Sequence, residues 1–199
     1  MRLRIPAAIL LAAAPALAAV GCDLNFPNND VPRLFPGATS FKTTYRTLTR
    51  DELGVLTGAL GAAFRGLYDP LEVPYTLYEV YTGAAKVGYV HGVNQKGQFG
   101  GIQVFVALDL EGRILSFYIQ KMSGQWAGKL RDPKFGKQFV GLRRKDFEIF
   151  DPVSGKGSGK VAHIHNPAPE METDFYCVLR ALKKNLVLMD IFVYNGKRP

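Results

Sequence analysis

The clearest periodicity in the chain is two. Ile102, Val104, Val106 and Leu108 fall on one face of an extended segment. The turn signal Asp109-Leu110-Glu111-Gly112 follows, and Leu115, Phe117 and Ile119 then repeat the alternation. Upstream, Tyr75–Tyr81 and Lys86–Val93 are rich in aromatic and β-branched residues, with Thr82-Gly83-Ala84 between them as a turn. The pattern predicts four strands in an antiparallel meander with one covered face.

Helical spacing brackets this block. Thr49 and Glu52 fit a capping box ahead of Leu53, Leu56, Leu60 and Phe64, and Gly66 supplies a stop. Gly54, Gly58 and Gly61 interrupt that helix at about 1 kcal/mol each, so close packing should compensate, or the helix is short or bent. Ser123–Arg131 and Pro133–Leu142 read as short helical turns divided by Asp132-Pro133. Residues 146–165 read as an irregular hairpin with SGKGSGK at its tip. The last helix runs from about Glu170 to Met189. Phe175, Val178, Leu179, Leu182 and Leu186 form its apolar stripe, and Arg180, Lys183 and Lys184 face out. The expected class is α+β: a twisted antiparallel sheet packed with N- and C-terminal helices.

The N-terminus is an address. Two arginines precede an apolar run from Ile5 to Val20 that small residues close, the pattern of a secretory signal peptide. The run is shorter than the ~20 residues a spanning helix needs and contains two prolines. Ala19-Val20-Gly21-Cys22 resembles the bacterial lipobox, which implies cleavage after residue 21 and lipidation of Cys22. Asp23 resembles an inner-membrane retention signal, so the expected location is the periplasmic face of the inner membrane. Residues 22–40, with Pro27, Pro32 and Pro36, read as a tether to a domain over 41–199.

Composition narrows the chemistry. The 199 residues are 47% hydrophobic and 21% charged, enough for one core and unlike a disordered chain. Two cysteines exclude a disulfide-dense scaffold and any four-cysteine metal site. With Cys22 acylated, Cys177 would be a lone buried thiol. The formal charge of +8 includes Arg2 and Arg4 of the leader, and the basic residues are dispersed, which argues against nucleic acid. SGKGSGK at 154–160 does not match a phosphate-binding loop, because Val161 follows Gly159-Lys160. His163 and His165 would share a strand face and His91 could join them, but no carboxylate or cysteine stands at ligand spacing beside them. Neither a nucleophile elbow nor H-E-x-x-H occurs, so no catalytic residue is assigned.

From Tyr78 to Gly141 several short motifs occur in a familiar order. They are Gly83-Ala84-Ala85-Lys86-Val87-Gly88-Tyr89, the glycine-rich lead Lys96-Gly97-Gln98-Phe99-Gly100-Gly101-Ile102, the turn Asp109-Leu110-Glu111-Gly112-Arg113-Ile114, and Phe135-Gly136-Lys137-Gln138-Phe139-Val140-Gly141. This succession resembles the bacterial FMN-binding domain of exported flavin subunits in Rnf and sodium-pumping NADH:quinone reductase complexes. The resemblance implies electron transfer at the cell envelope by non-covalent FMN, with redox subunits or cytochromes as partners. It points to Phe99, Gly100, Gly101, Gly124, Gln125, Trp126, Lys129, Lys137 and Gln138 as the cofactor-binding set. Two departures stand out. Ser123-Gly124-Gln125-Trp126 replaces the family's E-T-P-G, and Pro169-Glu170-Met171-Glu172 replaces the S-G-A-T whose threonine carries covalent FMN, with Thr173 one residue off. Three carboxylates, Glu170, Glu172 and Asp174, would repel a phosphate at that helix start. The alternative is a cofactor-free relative acting as an accessory or scaffold subunit of a membrane redox complex.

Overall fold

The computed structural model describes residues 22–61, 73–151 and 154–194. The leader, Phe64 and the stop expected at Gly66 lie outside the described residues. The class is α+β, built on a five-stranded antiparallel sheet in sequential order. The strands are β1 (Ser40–Arg46), β2 (Tyr75–Thr82), β3 (Ala85–Gly97), β4 (Gly100–Leu108) and β5 (Ile114–Lys121). The four expected strands are present. β1 is an addition, paired along its whole length from Ser40↔Tyr81 to Arg46↔Tyr75. Its sequence, SFKTTYR, is mostly polar, as an edge strand can be, and so lacked a strong signal.

Both faces of the sheet are covered, not one. On the first face Ile102, Val104, Val106 and Leu108 meet the long helix α6 (Glu172–Met189). On the other face Tyr78, Val80, Val90, Phe105 and Ala107 form a second cluster with Leu24, Val31, Leu34 and Phe35. The segment expected to be a tether is therefore folded onto the sheet. Pro27 begins helix α1 (Pro27–Leu34), where its missing N–H is no loss. The Asp23 carboxylate accepts from the Tyr78 hydroxyl, and the Gln120 side-chain amide donates to the Asp23 carbonyl at 2.9 Å. Cys22 is buried in the same cluster. Prolines and asparagines read as a linker here because the apolar anchors between them are widely spaced.

Helix α2 (Arg50–Leu60) carries the expected capping box. The Glu52 N–H donates to Thr49 Oγ1 at 3.2 Å, and the Thr49 N–H donates to Glu52 at 2.8 Å. It ends at Gly61, where φ is 80°, earlier than expected. A Cβ on Gly54 or Gly58 would meet nothing within 4 Å, so no close packing compensates those glycines, and the helix is short.

The lysines of α6 are a correction. Lys184 is fully buried and Lys183 nearly so, because the sheet packs on one side of the helix and α2 with the 3-10 turn Arg144–Phe147 on the other. Their ammonium groups reach backbone oxygens: Lys183 Nζ donates to Phe150 O at 2.6 Å and Lys184 Nζ to Asn94 O at 3.4 Å. Burial pushes the Lys183 ammonium below its ordinary pKa. Arg180 is half-buried. Residues 146–165 hold no strand among those described. Gly155 and Gly159 turn with φ of 73° and 62°, and the short helix α5 (Gly159–Ala162) follows.

Candidate functional site

The expected cofactor set divides into three places. The first is one end of the sheet, where β3 and β4 meet in a hairpin. Gly97 pairs with Gly100 and Lys96 with Gly101, so the turn is Gln98-Phe99 and both later glycines are spent on the start of β4. The Gln98 N–H donates to Asp174 Oδ1 at 2.6 Å. Asp174 is buried in the first turn of α6, where the helix dipole favours a carboxylate. Gly124 lies against this hairpin with φ of 121°. A Cβ there would stand 2.6 Å from Met171 Cε and 3.1 Å from Phe99 Cδ2, so the face of Gly124 is filled by these two side chains.

Trp126 and Lys129 stand beside this cluster. The Lys129 ammonium sits 4.4 Å from the Trp126 ring centroid and 3.2 Å from Glu170 Oε1. The Glu170 carboxyl is held below its ordinary range by the backbone N–H of its own residue and by Lys129. Phe99 and Trp126 remain 52% and 38% exposed, and Gln125 is exposed. The short helices α3 (Ala127–Leu130) and α4 (Pro133–Lys137) follow, the second capped by Asp132, whose carboxylate accepts from the Lys134 N–H at 2.7 Å.

Gln138 belongs to neither helix nor hairpin. Its amide donates to His165 O at 3.1 Å and accepts from the His165 N–H at 2.7 Å, which staples the loop before α6 to α4. Lys137 faces a third place, a groove along the outer edge of β5. This groove encloses about 380 Å3 between the end of α1, β5 and α3–α4. Leu115, Val140 and the half-buried Phe117 contribute its apolar surface, over the buried Leu34, Ile119 and Leu130; Arg33, Arg131 and Lys137 supply positive charge. Arg33 lies 3.7 Å over the Tyr118 ring and pairs with Asp30 at 2.7 Å.

The residues at the hairpin end do not make a seat for FMN phosphate. Of the two lysines in the expected set, Lys129 pairs with Glu170 and Lys137 lies in the β5 groove. The start of α6 presents Glu172 and Asp174, and Asp174 already accepts the hairpin's N–H. Thr173 is exposed beside them.

The histidines do not converge. His91 is fully buried beneath α6, its Nδ1 2.6 Å from Asn185 Oδ1, and burial lowers its pKa to about 4. His163 and His165 are exposed. No group of three or more metal-ligating side chains occurs among the described residues. Cys177 is buried, which pushes its thiol pKa up and makes it a packing residue. No helix among the described residues is long and apolar enough to cross a membrane.

Sequence reasoning missed Met171 and the groove. Met171 carried no signal beyond its place before the last helix. The groove carried none either: Leu115 reads as part of the strand's apolar alternation, and only the fold shows it 39% exposed beside Val140 at 52%. No family model and no curated protein matches this chain.

Proposed function

We propose that this chain is a cofactor-free relative of the exported FMN-binding domain and serves as an accessory or scaffold subunit of a membrane redox complex. It would be held at the periplasmic face of the inner membrane by lipid on Cys22. The observation that carries this reading is the closure of the hairpin end by the chain's own groups: Met171 over Gly124, Asp174 on Gln98 and Glu170 on Lys129. A phosphate there would meet the carboxylates of Glu170, Glu172 and Asp174 and would compete with Glu170 for Lys129. The folding of residues 23–36 onto the sheet adds a consequence. Acylation would require the Cys22 side chain to leave the cluster that buries it, and with residues 24–34 packed on the sheet the anchor would then hold the α1 face close to the bilayer.

Electron transfer by non-covalent FMN is the second reading. Its support is the pair Phe99 and Trp126, two aromatic side chains that stay partly exposed at the same end. Purified protein separates the two, because bound flavin absorbs near ~450 nm and the protein does not. The accessory reading expects colourless protein that takes up no added FMN on dialysis. Stoichiometric uptake that Trp126→Ala abolishes would establish the flavin reading instead. The anchor is tested apart from both. Cys22→Ser should move the chain from the detergent-rich to the aqueous phase in a Triton X-114 partition.

A further inference from the structure

The groove along β5 is a feature for which neither folding nor the proposed function accounts. β5 is the last strand of the sheet, paired with β4 on one side only. Its first residue is closed off: the Ile114 N–H donates to Leu142 O at 2.9 Å, and the Gly141 N–H donates to Ile114 O at 2.8 Å. Beyond that point Phe135 of α4 packs on Phe117 at a ring-centroid distance of 5.7 Å, and the 380 Å3 space lies beside this contact. That volume is within the range of small-molecule sites. Leu115 and Val140 are left 39% and 52% exposed and Phe117 is half-buried; apolar area left to water is unfavourable, at about 25 cal/mol per Å2, so an apolar occupant would be favoured.

The charges around the groove specify the other end of that occupant. Three cationic side chains, Arg33, Arg131 and Lys137, stand against one carboxylate, Asp132. Asp132 is occupied as the cap of α4, and Arg33 is already offset by Asp30. No carboxylate of the described residues lies within ion-pair distance of Arg131 or Lys137. Arg131 is held in place, because its guanidinium donates to Met122 O at 2.8 Å. The site thus combines a fixed guanidinium and a free ammonium with an apolar trough, the complement of a molecule with an anionic head and an apolar body.

We infer that the β5 groove binds a small single-chain amphipathic anion, a carboxylate or phosphate monoester carrying an alkyl body, with Arg131 and Lys137 on its head. The inference stands independently of whether the hairpin end takes FMN.

Dodecanoate and dodecyl phosphate, below their micellar concentrations, are the probes, and dodecanol is the uncharged control; isothermal titration of the full chain reads binding. One site per chain is expected, with dodecanol at least tenfold weaker than either anion. A preference between the two anions separates a fatty-acid source from a phosphate-ester source. Gly136 provides the occluding variant. A Cβ there would meet Phe117 at an ordinary 3.6 Å, so Gly136→Leu should fold and fill the groove. It should abolish binding of all three probes, and Lys137→Glu should weaken the anions about tenfold while sparing dodecanol. Circular dichroism and thermal melting establish that both variants are folded. Unchanged dodecanoate affinity in folded Gly136→Leu would overturn the inference, as would the absence of saturable binding to the wild type. Binding only of an extended peptide that pairs with β5 would overturn it too, in favour of a protein partner.

Discussion

The hairpin end and the β5 groove are opposite answers to the same problem. Each is a junction where strands stop and short helices begin. At the hairpin end, Met171, Asp174 and Glu170 supply the apolar contact, the hydrogen-bond acceptor and the counter-charge that the junction needs. At the groove Arg131 and Lys137 have no carboxylate partner among the described residues, and Leu115 and Val140 stay exposed. The first junction is completed from within the chain, and the second is not. Recognition chemistry is therefore better sought where local needs are unmet than where a sequence motif points.

The largest expected effect lies beneath α6, the helix that carries Asp174 of the hairpin end and packs on β3 and β4. His91 lies under the middle of that helix, with Asn185 as its partner and Lys184 as a nearby cation. Its folded pKa is about 4 against an ordinary value of 6.5. Between those two values the unfolded chain binds the extra proton and the folded one does not. Stability from His91 is therefore complete above pH 6.5 and is lost as pH falls toward 4, at about 1.4 kcal/mol per pH unit, or roughly 3 kcal/mol in all. Urea titrations of wild type and His91→Gln across this range should show a shallower pH slope in the variant. Equal slopes would mean that His91 is hydrated in the folded state.

Next come changes at the hairpin end. Asp174→Ala removes the acceptor from the Gln98 N–H and should cost about 1–3 kcal/mol. Gly124→Ala should cost a similar ~1–3 kcal/mol, because φ is 121° and Met171 occupies the space a methyl group needs. If either variant proved neutral in urea unfolding, the hairpin end would be looser than its contacts imply, and the contrast with the groove would weaken.

How much of this was legible follows the physics of each element. The alternation from Ile102 to Leu108 and the capping box at Thr49 are local signals, and both appear where expected. β1 was invisible because an edge strand of threonine and lysine needs only its partner's backbone. The packing of residues 23–36 was invisible because Leu24, Val31 and Leu34 gain their partners from β2 and β4, far along the chain. Lys183 and Lys184 misled for the same reason. A helical wheel assigns a lysine to solvent, whereas here a second layer closes over that side and backbone carbonyls receive the charge. Of the nine candidate cofactor residues, Phe99 packs by Gly124, and Lys129 lies over the Trp126 ring, an arrangement that motif order does not carry. What fills the space between them is tertiary.

In the groove the expectation reverses. Gly136→Leu adds apolar volume to a surface that is already apolar and open, at a position where a Cβ meets only Phe117, at van der Waals distance. Its stability should stay within about 0.5 kcal/mol of wild type, or rise slightly as the glycine's unfolded-state entropy is reduced. A loss of several kcal/mol would mean that the groove is a tightly fitted structural contact, and it would remove the asymmetry between the two regions.

The smallest effect is expected at Lys129. Its ammonium bridges Glu170 and the Trp126 ring in full view of solvent, where salt screens the attraction and both long side chains lose rotamer freedom to hold the geometry. Lys129→Ala should leave the thermal midpoint unchanged within measurement, yet it should alter the fluorescence of Trp126, the only tryptophan in the chain, because a cation is withdrawn from its ring. A changed emission with an unchanged midpoint would place this pair in a local role, positioning an exposed aromatic without carrying the fold. A lowered midpoint would instead make Lys129 part of what closes the hairpin end, and the region would be more cooperative than its separate contacts indicate.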